Sequence, residues 1–171
     1  MNKRVSLIVL CLVTLGVISS HVSLAQKENG SLLVVDEREI DIVGEANNQW
    51  IRWARRCDDV LRLSNDDRRY LEVEKTIKAY SPPNSDSAQL ASVWTIGEWT
   101  LAEVEFKELL PAVVLTKRIN DISVIIPNAV WSGYTKPWKA APYIREYLSK
   151  HSPETPTPLL DCFEPQSHAF R

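Results

Sequence analysis

Cys57 and Cys162 stand 105 residues apart, and a bond between them would tie the first helical stretch of the chain to its last residues. Whether they pair depends on the compartment, since thiols persist in the cytosol and oxidise outside it. The N-terminus reads Met1-Asn2-Lys3-Arg4, then an apolar run from Val5 to Ile18, then Ser19 to Ala25 ending Ser23-Leu24-Ala25. A basic start, a short apolar stretch and a small-residue site make the pattern of a cleavable secretory signal, residues 1–25. The apolar run is about 14 residues, where a spanning helix needs about 20. An uncleaved anchor is the alternative. Cys11 would leave with the signal, so the exported chain keeps two thiols in an oxidising space, periplasmic or extracellular, and they are expected to pair. Closing a loop of that length contributes ~4–5 kcal/mol in the chain-entropy model.

Cleavage also removes Lys3 and Arg4, two of the 20 basic residues; against 22 acidic ones, the formal charge moves from −2 to −4. A mildly acidic chain disfavours nucleic acid as the main partner. No later apolar run is long enough to cross a bilayer, so no stable membrane insertion is expected once the signal is gone. What remains is enough for one core. The expected organisation is an N-terminal arm over 26–44, one globular domain over 45–163 and a frayed tail over 164–171. Asn29-Gly30-Ser31 matches a glycosylation acceptor, a pattern too common to carry weight.

Within the domain, apolar residues at Trp50, Trp53, Ala54, Cys57, Val60 and Leu61 follow a helical period, predicting a helix over 45–63 with both tryptophans in the core. Its other face carries Arg52, Arg55, Arg56 and Arg62 among Asp58 and Asp59, read as a self-paired solvated face rather than an anion site. Ser64 and Asp67 resemble a capping box opening a second helix over 65–80, with stripe Tyr70, Val73, Ile77 and Tyr80, stopped by Pro82-Pro83. The two form a helical hairpin.

The next segment alternates. Strands over 88–94 and 99–106 flank Thr95-Ile96-Gly97-Glu98, with Trp94 and Trp99 expected to face each other; one long helix over 87–109 is the rival reading. Ala112 to Arg118 and Ile122 to Ile126 flank an Asn120-Asp121 turn, and Pro127-Asn128 interrupts the last run, with Ala129-Val130-Trp131 as its candidate continuation. A closing helix starts near Ala141-Pro142, and Ser152 to Pro158 extends as a stiff proline-rich tail. The fold class is therefore α+β: a helical hairpin, an antiparallel sheet of about four strands, a C-terminal helix and a proline-rich tail. That element order is similar to cystatin-like and NTF2-like folds, an analogy that implies no function.

The chemistry-bearing residues are sparse. Only His151 and His168 remain as imidazoles after the signal, and no CxxC, HExxH, G-x-S-x-G or phosphate-binding glycine loop occurs. No metal, cofactor or catalytic residue is therefore assigned. Glu103 and Glu105 share one face of a predicted strand, a spacing that could suit an acid–base pair, but alternation alone places them on a wet face. Trp131, Tyr134, Lys136 and Trp138 are different. They sit in a loop beside Ser132, Gly133 and Pro137, a mix that favours recognition of a sugar, a peptide or a protein. The expectation is a non-enzymatic binding protein whose partner is another envelope or secreted protein, such as an assembly factor, a hydrolase inhibitor or an immunity protein. A small acid–base enzyme with a cone-shaped pocket and a purely structural dimerising domain are the alternatives.

Overall fold

The computed structural model describes residues 21–170, and the chain divides into a unit ending at Ala46 and a larger one from Asn47 onward. In the smaller unit, residues expected as a loose arm form an antiparallel meander: β1 (Val22–Lys27), β2 (Gly30–Val35) and β3 (Arg38–Ile40). Asp36 and Glu37, both at positive φ, form the two-residue turn between β2 and β3, a geometry whose twist suits a hairpin. The expected cleavage point after Ala25 falls inside β1, where Ala25 pairs with Leu32; most of the signal lies outside the described residues. Asp41 then starts α1 (Ile42–Ala54) by accepting from the Gly44 amide at 2.7 Å. A Cβ at Gly44 would meet the Asp41 carboxylate at 2.0 Å, so a side chain there would force that carboxylate to shift from its capping position.

The larger unit is a five-stranded antiparallel meander in sequence order, β4 to β8, not the expected four strands. The extra strand is β4 (Leu61–Arg62), which comes from the region read as helix. α1 ends at Ala54 because Cys57 must turn toward Cys162, with Cα atoms 5.9 Å apart and the sulfurs at disulfide distance. β5 (Gln89–Ile96) and β6 (Trp99–Glu105) flank Gly97-Glu98, with Gly97 at φ +53°. Ile96 pairs with Trp99 and Trp94 with Leu101, so the two tryptophans are not opposite one another. Instead Arg62 lies over Trp94 and Lys117 over Trp99. β7 (Ala112–Ile119) turns through Asn120-Asp121, both at positive φ, into β8 (Ile122–Ser132). Pro127-Asn128 does not end β8; the strand continues past a register shift opposite Val114/Thr116.

Both faces of this sheet are covered, which is why β6 is buried almost throughout. On one face α2 (Arg68–Lys78) lays Val73 and Ile77 against Val93, Ala102, Val104, Ala112 and Val114. Asp67, not Ser64, caps α2, accepting from the Arg69 amide at 2.7 Å; Ser64 bonds Asp66 instead. On the other face α3 (Ala140–His151) and α4 (Thr157–Asp161) bring Ile144, Leu148 and Leu159 onto Leu101, Val113 and Leu115. α4 starts at the end of the stretch read as an extended tail, at Thr157-Pro158, with proline in its first turn. Phe163 and Phe170 close that core, so residues 164–170 are not frayed.

Two side-chain placements invert the sequence expectation. Trp50 and Trp53 are 65% and 78% exposed, because α1 turns its Asn48 and Arg55 side inward. Glu103 is fully buried, because the C-terminal segment lies over the face that alternation had marked as wet.

Candidate functional site

Proline stops α2 before the sheet ends. Pro82-Pro83 follows it closely, and Ser85 seals the helix end by donating to the Lys78 carbonyl at 2.6 Å and accepting from the Ser81 amide. The first residues of β7 and the last of β8 therefore line an opening beside the final turn of α2. The result is an open apolar cleft of about 360 Å³. Its floor is Ala112, Val114, Ile125 and Val130 of the sheet; Ile77 and Tyr80 form one wall, and Phe106, Leu109 and Leu110 the other. Leu109 and Leu110 reach solvent at 38% and 51% exposure. Tyr80, Ser81, Ser85 and Ser132 are its hydroxyl-bearing residues, the Ser85 hydroxyl being already engaged at the helix end, and no carboxylate or imidazole is among the lining residues described. A cleft of this size and lining is a typical small-group binding site.

The loop singled out from the sequence begins at this cleft. Ser132 lines it, and the Gly133 amide donates to the Pro111 carbonyl at 3.1 Å, holding the loop against the Leu109-Leu110 wall. Tyr134 follows at 66% exposure, and Lys136 is exposed. The two tryptophans are placed differently. Trp131 lies on β8 and packs edge-on to Phe170 at 5.4 Å, on the opposite face of the sheet from the cleft. Trp138 packs on Tyr143 at 6.4 Å, with its backbone closed on Thr135. Tyr134, two residues beyond Ser132, is thus the loop aromatic that reaches solvent.

The acid–base candidates are held elsewhere. The Glu103 carboxylate accepts from the Gln166 amide at 2.8 Å, the Ser167 amide at 2.9 Å and the Ser92 hydroxyl at 3.0 Å. Glu105 accepts from the Ser167 hydroxyl. Both carboxylates fasten the C-terminal segment. His151 is exposed at the end of α3, its ring stacked on Tyr147 at 4.0 Å.

The arginine cluster does hold a carboxylate, that of the same chain's Glu164. Arg52 grips it with two bonds of 2.8 and 2.9 Å, and Arg55 adds a third at 2.9 Å. Arg145, nearly buried, bonds the carbonyls of Leu160 and Phe163 and Asn48 Oδ1, and lies 3.7 Å from Glu164. Burial by itself would raise the Glu164 carboxyl; the three guanidiniums outweigh it and hold the group below the ordinary carboxylate value. Desolvation lowers Arg145, with Glu164 opposing. A second depression of about 320 Å³, with a mixed polar and apolar lining, opens between α1, α3 and α4.

Among the described residues no group of three potential ligands could hold a metal, and no helix is long and apolar enough to cross a membrane. Comparison with known proteins gives no match: no family model, no curated sequence and no solved structure is significantly similar to the chain. Sequence reasoning missed the apolar cleft. Its one legible trace is Leu109-Leu110 placed directly before Pro111, two large apolar residues in a connection that no strand or helix accounts for.

Proposed function

We propose that this chain is an exported binding protein, stapled by Cys57–Cys162, whose partner is another envelope or secreted protein that inserts an apolar group into the cleft beside Tyr134. The observation that carries the reading is the cleft itself: an open, mainly apolar cleft of about 360 Å³ whose described lining includes no carboxylate or imidazole. Exposed apolar surface costs solubility unless something covers it, and a concave patch rimmed by an exposed aromatic suits a protein anchor. The acid–base alternative has less support, since Glu103 and Glu105 are engaged with Gln166 and Ser167 rather than with a cavity. The disulfide-distance cysteines are compatible with an oxidising, exported setting. An assembly factor, a hydrolase inhibitor or an immunity protein each fits this description.

The test begins with capture of partners from a cell-envelope extract on the immobilised oxidised chain. Each captured protein is then prepared pure and its affinity measured. Leu110→Lys and Tyr134→Ala change exposed residues, so circular dichroism should be unaltered. Each should weaken binding at least about tenfold, or ~1.4 kcal/mol. A partner bound equally well by both variants would move the site away from the cleft.

A further inference from the structure

Separate from the apolar cleft, the mixed polar and apolar depression between α1, α3 and α4 has its own chemistry. Asn47 contributes from α1; Arg145, Glu146 and Ser149 from one stripe of α3; Thr157 and Asp161 from α4. Its volume, about 320 Å³, is enough for a small ligand. The lining mixes these polar groups with the apolar Ile51, Pro142, Pro153 and Leu160, and the Ser149 hydroxyl already donates to the Glu146 carbonyl at 2.9 Å.

Charge narrows the choice of ligand. The Arg145 guanidinium is committed: Nε to the Leu160 carbonyl, Nη1 to Asn48 Oδ1 and Nη2 to the Phe163 carbonyl. Its charge is one of three facing Glu164, with those of Arg52 and Arg55. Glu146 and Asp161 bring the carboxylates to three as well, so no surplus positive charge is left for a phosphate or carboxylate ligand. A metal ion would want a larger donor group, and none of three or more forms among the described residues. A neutral, hydroxyl-rich ligand meets both the donors and the acceptors.

The second observation is an indole pair on α1, outside the lining itself but on the helix that supplies Asn47 and Ile51. Trp50 lies one helical turn after Asn47 and one residue before Ile51, both of which line the depression. It is 65% exposed and leans on Trp53, itself 78% exposed, at a ring separation of 5.3 Å. Two adjacent exposed indoles on a soluble surface call for a partner, and an indole face beside hydrogen-bonding groups suits the apolar face of a sugar ring. We infer that this depression, with Trp50 as its flank, is a binding site for a neutral pyranose oligosaccharide.

The oxidised chain should be titrated with neutral tetrasaccharides of N-acetylglucosamine, glucose, mannose and galactose, each to ~10 mM, following tryptophan fluorescence and heat. At least one should bind saturably with a Kd below ~1 mM. Trp50→Ala and Asp161→Asn should each weaken it about tenfold. Both positions reach solvent, so each variant should retain the parental circular dichroism. No saturable signal with any sugar overturns the inference, as does binding undiminished in both variants. Saturable binding of inorganic phosphate without any sugar also overturns it.

Discussion

Replacing Glu103 with alanine should release the C-terminal segment, and the cost can be worked from its contacts. The carboxylate is fully buried and satisfies two backbone amides, Gln166 and Ser167, and the Ser92 hydroxyl. A hydroxyl can rotate to another acceptor; the two amides cannot. Orphaning each costs ~1–3 kcal/mol. If the segment stays in place the loss is therefore ~2–6 kcal/mol before any cavity term. If it peels away, the amides regain water but the Phe170 ring leaves the core, at ~2–3 kcal/mol. The cheaper route sets the answer, so Glu103→Ala should destabilise by about 3 kcal/mol. Glu103→Gln keeps the shape but turns one acceptor into a donor facing donors, and should cost somewhat less. Urea unfolding measures the total, and amide hydrogen exchange locates it. Protection should fall first at Gln166, Ser167 and Phe170. A loss under ~0.5 kcal/mol with unchanged exchange at those amides would refute the reasoning.

Other outcomes follow from the same contacts. Opening Cys57–Cys162 by Cys→Ser substitution removes a 105-residue closure and should cost ~4–5 kcal/mol in urea unfolding. Glu164 titrates lower in the folded chain than its reference value of 4.5, so its stabilisation is present above that pH and is lost as pH falls through the folded value; Glu164→Gln should flatten the acid limb of the stability–pH curve. Trp53→Ser, at a position 78% exposed, should change stability by less than ~0.5 kcal/mol, whereas a core tryptophan would cost several times that; thermal unfolding separates the two.

Local signals explain most of what could be read in advance. Alternation and the Gly97 and Asn120-Asp121 turns placed the two hairpins of the sheet, and Val73 and Ile77 placed the buried stripe of α2. The errors share one cause, which is long-range chain placement. A helical period carried past Ala54 looked continuous, but the cysteine pairing pulls the chain away from the helix at Cys57. Trp50 and Trp53 belong to a helix whose inward side is chosen by Asn48, Arg52 and Arg55 meeting Arg145 and Glu164, contacts 97 to 112 residues distant. Glu103 and Glu105 satisfy every local rule for a wet face, and only the returning C-terminus makes them interior. The loop with Tyr134 was visible by composition. Its neighbour, the apolar cleft, was not, since it arises from what α2 fails to cover.

The most direct test of the central claim is whether the cleft takes an apolar group. The oxidised chain, labelled at its Ile, Leu and Val methyls, should be titrated with phenylnaphthylamine, a neutral apolar fluorophore. The account predicts one saturable site, methyl shifts confined to Ile77, Leu109, Leu110, Val114, Ile125 and Val130, and loss of the fluorescence gain in Leu110→Lys. Binding unaffected by Leu110→Lys, with shifts on other faces of the sheet or none at all, would contradict it.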